Sequence, residues 1–361
     1  MWGVQRVVTQ LPTVLVTGAS GFVAGHVIQE LLRHGYVVRG TVRDVRRAEK
    51  LPHLSALATE FPGRLTLVTA HLDADEGWAE AVAGCTFVLH VASPNPSRLP
   101  RDENEVIRPA IDGTLRVLRA AAASDSVRRV VLTSSSTAVN AGHTEPRDGY
   151  YTEDDWAIVD GLPAYEKSKT LAERAAWQFH ASLPTDRRFE LAVVIPGLVL
   201  GPLNRPQVNA SVEVIQRLLS HSIPAVPRLS FSPVDVRDVA VAHRLVMENA
   251  KASGNRYIFA GPDTWMEDMA QILAAEFAPR GFRIPRRRLP YWAMWLIARF
   301  DPTVRLALGY VGRLDRLSSR KATDELGWTT RPVADAVLAT GHSLVDHNLV
   351  QPRPASSRSA K

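Results

Sequence analysis

The sequence predicts an α/β fold, a doubly wound parallel sheet followed by a smaller, mixed C-terminal region. Two observations support this fold class. Short apolar runs rich in β-branched residues alternate with helical patterns from about residue 14 to 195. After Pro196 the alternation loosens and prolines become frequent. Strand, helix and strand at this spacing indicate parallel strands with helices on both faces of the sheet.

The predicted strands share short runs of valine, leucine and isoleucine, and they cover 14–16, 36–41, 65–69, 87–91, 129–133, 191–195 and 257–259. The predicted helices share apolar residues three and four positions apart, and they cover 23–34, 106–123, 163–180, 208–220 and 239–249. Gly35 follows the first helix, where a glycine commonly ends a helix.

Composition excludes several classes of protein. The chain has 361 residues, enough for one large domain or two coupled ones. Its net charge of +6 comes from scattered arginines with no basic run between aromatics, so we expect a basic surface and no nucleic-acid partner. The single cysteine, Cys85, opens an apolar strand, and we expect it to be a small buried side chain. Without disulfides or a secretory pattern, the expected location is cytoplasmic.

An apolar segment at 291–298 ends at Arg299. Its eight residues are fewer than the roughly 20 that span a bilayer, so we expect no integral membrane segment. The segment could dock on a membrane or a partner. The pattern favours a packed helix of the second domain.

A glycine turn follows the first predicted strand. Gly18 permits a sharp turn, and Gly21 removes a side chain where a pyrophosphate would approach the backbone. The helix that begins near Phe22 points its positive end at the same place. The turn predicts a dinucleotide site, and the alternative is a purely structural turn.

Arg43 stands at the end of the second strand, where an acidic residue would bind the adenosine ribose. An arginine there favours a 2′-phosphate, and therefore NADP(H) over NAD(H). Lys50 is a possible second contact. In the alternative interpretation, Arg43 pairs with Asp44 or Glu49 on the surface.

Tyr165 and Lys169 lie four residues apart in a predicted helix, so they share one face. An ammonium group close to a phenol lowers its pKa, which suits a general acid or base. Lys169 can also bind the nicotinamide ribose. The fifth strand ends in three serines, 134–136, and any of their hydroxyls could bind a substrate oxygen.

Together these residues resemble the extended short-chain dehydrogenase/reductases of the NAD-dependent epimerase/dehydratase family, and most closely the dihydroflavonol-4-reductase and cinnamoyl-CoA-reductase branch with its aldehyde and ketone reductases. The matching stretches are 16–22, 40–44, 90–94, 103–107, 133–135, 165–169 and 195–197, with weaker matches at 234–239 and 325–328. The resemblance spans about residues 11 to 345.

The resemblance implies a Rossmann-type sheet, the cofactor NADP(H) and a set of site residues. It implies that Ser135 is the catalytic serine beside Tyr165 and Lys169, and that Asn140 contacts substrate together with Ser135 and Tyr165. The residues expected at the cofactor are Thr17, Gly18, Ser20, Gly21, Phe22, Val23, Arg43, Lys50, His71, Leu72, Val91, Ala92, Ser93, Tyr165, Lys169, Pro196, Gly197, Leu198 and Val199. No metal is expected.

Three positions depart from the family pattern. Ala24 replaces the third glycine of the turn, and Gly25 follows it. His71 stands where the family has an aspartate that accepts the adenine amino group. A neutral histidine can also accept that bond, and the alternative is that adenine is held more loosely. The Arg- and Trp-rich segment 285–312 has no counterpart in the plant flavonoid enzymes, which argues against a flavonoid as natural substrate.

We therefore expect a NADP-binding Rossmann domain at 11–199 and a substrate-binding lid at 200–347, with about 230–262 returning to the Rossmann domain. A disordered tail is expected at 348–361. The expected function is NADPH-dependent reduction of an aldehyde or ketone by a monomer or homodimer. The alternatives are a nucleotide-sugar epimerase/dehydratase or a 3β-hydroxysteroid-type dehydrogenase using NAD, and a non-catalytic NADP(H) sensor. The residues that would shape the pocket, within 140–165 and 200–232, show no specificity code.

Overall fold

The computed structural model describes residues 12–94, 100–143, 147–300 and 302–352. The strands are β1 (Thr13–Val16), β2 (Val37–Val42), β3 (Leu65–Thr69), β4 (Phe87–His90), β5 (Arg129–Thr133), β6 (Glu190–Pro196), β7 (Leu198–Leu200), β8 (Ser230–Phe231), β9 (Pro233–Asp235), β10 (Arg256–Phe259) and β11 (Thr264–Trp265).

The helices up to the end of the sheet are α1 (Phe22–Arg33), α2 (Val45–Ala48), α3 (Pro52–Glu60), α4 (Trp78–Val82), α5 (Asn104–Ala122), α6 (Thr137–Asn140), α7 (Ala164–Ser182), α8 (Ala210–Leu219) and α9 (Val236–Glu248). They are followed by α10 (Met266–Phe277), α11 (Tyr291–Ile297), α12 (Pro302–Ala307), α13 (Arg320–Leu326) and α14 (Val333–Asp346).

Seven strands form one parallel sheet in the order β10-β6-β5-β4-β1-β2-β3. The chain starts in the middle of this sheet, since Val14 pairs with Val38 of β2 on one side and with Phe87 of β4 on the other. The strand order reverses between β1 and β4, which creates the crevice where open α/β sheets bind ligands. The predicted Rossmann-type fold class is confirmed.

Both faces of the sheet are buried under helices. Val14 and Val16 of β1 point into a core shared with α1 and α9. Leu15, between them, points into the opposite core, shared with α5 and α7. This alternation follows from the two-residue period of a strand, and burial on both faces explains why the strands are continuously apolar. Cys85 is fully buried in the second core, as expected.

A third core joins α8, α10 and α14 and forms the smaller C-terminal part, while α9 and β10 pack with the sheet. Val350, beyond α14, is buried in this third core. Residue 11 and residues 353–361 of the expected tail lie outside the described residues. The boundaries at 199, 200 and 347 remain predictions.

Helix starts differ from the sequence expectation where a side chain caps the helix. The Asp235 side chain accepts the backbone N–H of Arg237 at 2.8 Å, so α9 begins three residues earlier than position 239. The Asn209 side chain accepts the N–H of Val212 at 3.0 Å, so α8 begins at Ala210 rather than 208. Both caps satisfy N–H groups that have no partner inside the helix.

The apolar segment 291–298 forms α11, but the expectation of a packed helix is wrong for most of its surface. Only Met294 within α11, and Ala298 after it, are buried. The other large side chains point outward because nothing else in the described chain covers this short helix. Within the described residues, none of the helices has the length and apolarity needed to cross a membrane.

Candidate active site

The glycine turn lies at the carboxyl end of β1. Gly18 has a φ of +70°, and a Cβ there would lie 3.0 Å from the Cβ of Ala92. The N–H of Gly21 donates to the Gly18 carbonyl at 2.8 Å, and α1 begins at the next residue. The turn therefore presents backbone and the N-terminus of a helix to the crevice, with Thr17, Ser20 and Val23 beside it. This geometry fits a dinucleotide pyrophosphate.

A buried histidine, which the sequence argument did not single out, fixes this turn. Thr17 Oγ1 is hydrogen-bonded to His90 Nδ1 at 2.9 Å and accepts the N–H of Ala92 at 2.9 Å. Burial lowers the pKa of His90 to about 3, with the charge of Lys169 contributing, so the ring is neutral. The bonds hold 91–93 against the turn. The only signal in the sequence is its position at the end of a strand.

Arg43 follows β2 and is exposed. It makes no ion pair with any residue that the structure describes. Asp44 is engaged elsewhere, because its carboxylate lies 3.4 Å from the guanidinium of Arg47. The alternative pairing of Arg43 with Asp44 or Glu49 is therefore not observed, and Arg43 is free to bind an anion. Lys50 is exposed and follows α2 by two residues.

His71 and Leu72 follow β3, next to β2 in the sheet. The His71 side chain is 40% exposed, and its Nδ1 lies 3.9 Å from a carboxylate oxygen of Asp73. Both positions lie at the carboxyl edge of the sheet, as an adenine contact requires. The role of His71 toward adenine remains a prediction.

A segment after β7 that the sequence argument missed crosses the start of α1. His26 Nε2 is 2.9 Å from the Pro202 carbonyl, and the Asn204 amide donates to the Phe22 carbonyl at 3.2 Å. A Cβ on Gly25 would lie only 2.1 Å from Asn204 Nδ2. The unusual placement of the third glycine at Gly25 is therefore explained by this close crossing.

Arg205 continues that segment and is half-buried. Among the described residues it has no ion-pair partner, and burial together with the charge of Arg43 lowers its pKa. Both ring nitrogens of the neighbouring His53 are buried without a hydrogen-bond partner. Burial, then Arg205, then His26 lower the pKa of His53 to about 4. We call Arg43 and Arg205 the cationic corner. No signal in the sequence reveals it, because the two arginines lie in loops that are far apart in the sequence.

Tyr165, Lys169 and Glu173 lie one turn apart along α7, on one face of the helix. The Ser135 side chain lies close enough to the Tyr165 hydroxyl to affect its pKa. Ser135 follows β5, and its hydroxyl accepts the N–H and the hydroxyl of Thr137 at 3.3 and 3.0 Å. The structure thus brings Ser135, rather than either neighbouring serine, to the phenol.

The titration of this pair differs from the sequence expectation. Tyr165 is 40% exposed, but desolvation by the protein around it still dominates its titration. Burial raises the pKa of Tyr165, the neighbouring Ser135 hydroxyl opposes that rise, and the charge of Glu166 adds to it. The net shift of the Tyr165 pKa is therefore upward, opposite to the lowering expected from Lys169. Lys169 is itself desolvated, and burial lowers its pKa to about 8 against the opposing charge of Glu173.

A buried ion pair holds α7 one helical turn beyond Lys169, and the sequence argument missed it. Glu173 is 1% exposed and pairs with the Arg256 guanidinium at 2.6 Å. The Ser134 hydroxyl donates to the same carboxylate. Arg256 also donates to the carbonyls of Glu153 and Asp155 at 2.8 and 2.9 Å. Glu173 follows Lys169 by four residues, which is the signal that would have placed it on the same face.

The remaining predicted residues lie at the same edge of the sheet. The Pro196 carbonyl accepts the N–H of Ser136 at 3.0 Å, which sets the 196–199 turn beside the serine loop. Asn140 ends α6 and is partly buried, and its side chain makes no hydrogen bond within the described chain. Of the expected pocket range 140–165, residues 144–146 lie outside the described residues.

A second cleft, of about 500 Å³, opens at the opposite end of the sheet and is lined by Arg128, Arg188 and Glu190 among others. It lies at the amino ends of β4, β5 and β6. Ligands of open α/β sheets bind outside the carboxyl ends, where all the predicted residues converge. We therefore assign no substrate to this cleft.

Comparison with known proteins agrees with this geometry. The chain is 40% identical over 250 residues to the cinnamoyl-CoA reductase CAD2 of Medicago truncatula, covering 67% of this chain and 74% of that protein. It is 36% identical over 278 residues to the bifunctional dihydroflavonol 4-reductase/flavanone 4-reductase of Malus domestica, covering 73% of this chain and 76% of that protein.

The crystal structure of yeast methylglyoxal/isovaleraldehyde reductase Gre2 complexed with NADPH superimposes with a TM-score of 0.77 at 26% identity, covering 93% of this chain and 99% of that chain. These relatives confirm the resemblance to the dihydroflavonol and cinnamoyl-CoA reductase branch. The match to the family itself extends over residues 14–260. The chain belongs to the NAD dependent epimerase/dehydratase family.

Proposed function

We propose that this protein reduces an aldehyde or ketone to an alcohol with NADPH, and that Tyr165, Ser135 and Lys169 carry the reaction. The observation that carries the proposal is that the Ser135 side chain lies next to the Tyr165 hydroxyl, one helical turn from Lys169, in the crevice beside the glycine turn. The relatives named as reductases confirm an NADP-dependent oxidoreductase of the short-chain type that acts on carbonyl groups.

When bound, NADPH supplies the hydride. The residues that would hold it are the turn 17–23 at the phosphates, Arg43 and Arg205 at the 2′-phosphate, and Lys169 at the nicotinamide ribose. Their fit is supported by the close backbone approach at Gly18 and by the absence of an ion pair for either arginine in the described chain. An arginine binds a phosphate with charge-assisted hydrogen bonds, which offsets the repulsion between the two guanidinium groups.

The protein moves one proton. Because burial raises the pKa of Tyr165, the phenol is protonated at neutral pH and can donate to the substrate oxygen. Ser135 holds that oxygen and stabilises its developing negative charge. The Lys169 ammonium, charged below about pH 8, then stabilises the phenolate that remains. Asn140 is the proposed substrate contact from α6.

The comparisons do not favour the NAD-dependent epimerase, dehydratase or steroid alternatives, or a non-catalytic sensor. The protein acts on a small molecule. We propose further that it is cytoplasmic, binds no nucleic acid, and exists as a monomer or homodimer. The single buried cysteine supports the location, and arginines that are mostly scattered along the chain support the absence of a nucleic-acid partner.

The test is an NADPH-oxidation screen over aromatic aldehydes, aliphatic ketones, β-keto esters and sterol ketones, with NADH as the control cofactor. We expect at least one carbonyl class to be reduced, with NADPH preferred. NAD that copurifies and appears only after denaturation, together with no turnover of any carbonyl, would indicate an epimerase instead.

A further inference from the structure

Six large apolar side chains lie on the surface within ten residues of one another. They form what we call the aromatic patch: Tyr291, Trp292, Trp295, Leu296, Ile297 and Phe300. Trp292 is 70% exposed and Phe300 is 85% exposed. Isolated exposed apolar residues are normal on a protein surface, but a contiguous group of this size marks an interaction site.

Helix α11 has a buried face, so the outward aromatic residues of the patch occupy its other faces. Met294 and Ala298, four residues apart, provide the inward side of α11, and they are buried. Trp292, Trp295 and Leu296 lie on the other sides of the same turns. The helix therefore contacts the rest of the protein through Met294 and Ala298 and presents its aromatic residues outward.

Arginines flank the patch along the chain, and one of them, Arg288, is paired with Glu267 at 2.6 Å. Between residues 281 and 312 the sequence contains six arginines and one acidic residue, Asp301. Arg283, Arg286 and Arg287 are exposed and make no ion pair with any described residue. The Arg299 guanidinium lies 4.4 Å from the centre of the Trp295 ring, so a cation is held directly over the apolar surface. The exposed rings favour a partner with an apolar surface, and the arginines favour one that carries negative charge.

We propose that the aromatic patch docks on the surface of an anionic lipid bilayer. Tryptophan, tyrosine and phenylalanine rings insert favourably at the level of the headgroups, and flanking arginines bind anionic headgroups while their stems remain in the apolar layer. The helix lies on the membrane, because seven residues in α11 are too few to cross it. This proposal goes beyond the reductase function and does not depend on it.

Docking depends on two contributions that can be removed separately. Burial of the rings supplies a contribution that salt does not screen, and the arginines supply one that falls as ionic strength rises. Loss of the rings should therefore weaken binding at every salt concentration. Loss of the arginines should remove the preference for anionic lipid.

The experiment is sedimentation of the full chain with vesicles of phosphatidylcholine alone or with 30% phosphatidylglycerol, roughly the anionic fraction needed for a strong surface potential. The variants are Trp292→Ser with Phe300→Ser, and Arg286→Ala with Arg287→Ala. Tyr150→Ser is the matched control, because Tyr150 is an exposed aromatic residue outside the patch. Circular dichroism and NADPH binding show that each variant is folded.

We expect the parent and Tyr150→Ser to bind the anionic vesicles at least tenfold more strongly than the neutral ones, and high salt to reduce that binding. The Trp292/Phe300 variant should lose at least tenfold in binding to anionic vesicles. The Arg286/Arg287 variant should bind both vesicle types alike.

Equal binding by the parent and the Trp292/Phe300 variant would overturn the proposal, and so would failure of the parent to bind anionic vesicles. Sedimentation velocity identifies the competing occupant. A parent dimer that becomes a monomer in the Trp292/Phe300 variant, without vesicle binding by either, would assign the patch to a second copy of the chain.

Discussion

Helices α7 and α11 are both rich in apolar and aromatic residues, but they meet opposite environments. On α7, Tyr165, Lys169 and Glu173 point inward and find Ser135, Ser134 and Arg256. On α11 the aromatic residues point outward, and only Trp295 has a described partner, the Arg299 guanidinium 4.4 Å from its ring centre. Spacing within a helix determines which side chains share a face, whereas the neighbouring elements determine whether that face is covered.

The largest expected effect is on turnover, which should depend on α7 and not on α11. Tyr165→Phe removes the proton donor, and we expect kcat to fall by about 10²- to 10⁴-fold because general acid catalysis contributes that much. NADPH should still bind with unchanged affinity. Steady-state kinetics and NADPH fluorescence titration measure the two quantities.

Tyr36→Phe is the control for that variant, since Tyr36 donates to Glu248 at 2.9 Å, away from the crevice. It should retain turnover, as should the Trp292/Phe300 variant of the patch. If Tyr165→Phe turned over substrate as fast as the parent, α7 would not supply the proton donor and this prediction would be wrong.

The second prediction concerns stability. Glu173→Ala leaves the buried Arg256 charge without its partner, and we expect the free energy of unfolding to fall by about 3–5 kcal/mol. Glu213→Ala breaks an exposed pair with Arg217 on α8 and should cost less than about 1 kcal/mol. Urea denaturation measures both changes. Equal decreases in the free energy of unfolding would show that the Glu173–Arg256 pair contributes no more than an exposed ion pair.

The cationic corner provides the third prediction. Arg205→Ala should raise the Kd for NADPH about tenfold or more, the size of one charge-assisted hydrogen bond, and leave the Kd for NADH unchanged. Arg43→Ala should act in the same direction. Arg47→Ala is the control, because its side chain is 91% exposed and paired with Asp44. A similar loss for NADH would place Arg205 away from the 2′-phosphate.

The fourth and smallest effect is in the pH profile. The pKa of Lys169 is lowered to about 8 by burial, so its ammonium is present below that pH and lost above it. We expect kcat/KM for carbonyl reduction to be level below about pH 8 and to decline above it, since kcat/KM reports groups of the free enzyme. Lys169→Arg, which stays charged, should remove that decline even if its overall rate is lower. A decline at the same pH in Lys169→Arg would assign it to another group.

The sheet and most of the crevice could be predicted from sequence because they depend on local patterns. Apolar strand runs, the turn at Gly18 and the four-residue spacing of Tyr165 and Lys169 each reflect a fixed period of backbone structure. The choice of Ser135 among three serines needed a family resemblance, and the structure supplies a reason, the proximity of its side chain to the Tyr165 hydroxyl.

What could not be predicted arises from residues that meet only in three dimensions. Arg205 lies more than 150 residues after Arg43 in the chain, yet the two charges affect each other. The titration of Tyr165 also escaped prediction, because spacing shows that Lys169 is near but not how deeply the hydroxyl is buried. The exposure of α11 reflects the lack of covering elements in the part of the chain that the structure describes, and no local sequence pattern contains that information.

The most direct test of the central claim uses NADPH carrying deuterium at the transferable position of the nicotinamide. With a carbonyl compound identified by the screen, the account predicts that mass spectrometry finds one deuterium on the carbinol carbon of the alcohol, and that Tyr165→Phe forms at least a hundredfold less of it per unit time. NADPH consumption without deuterium in the alcohol, or equal labelling rates in the two enzymes, would contradict it.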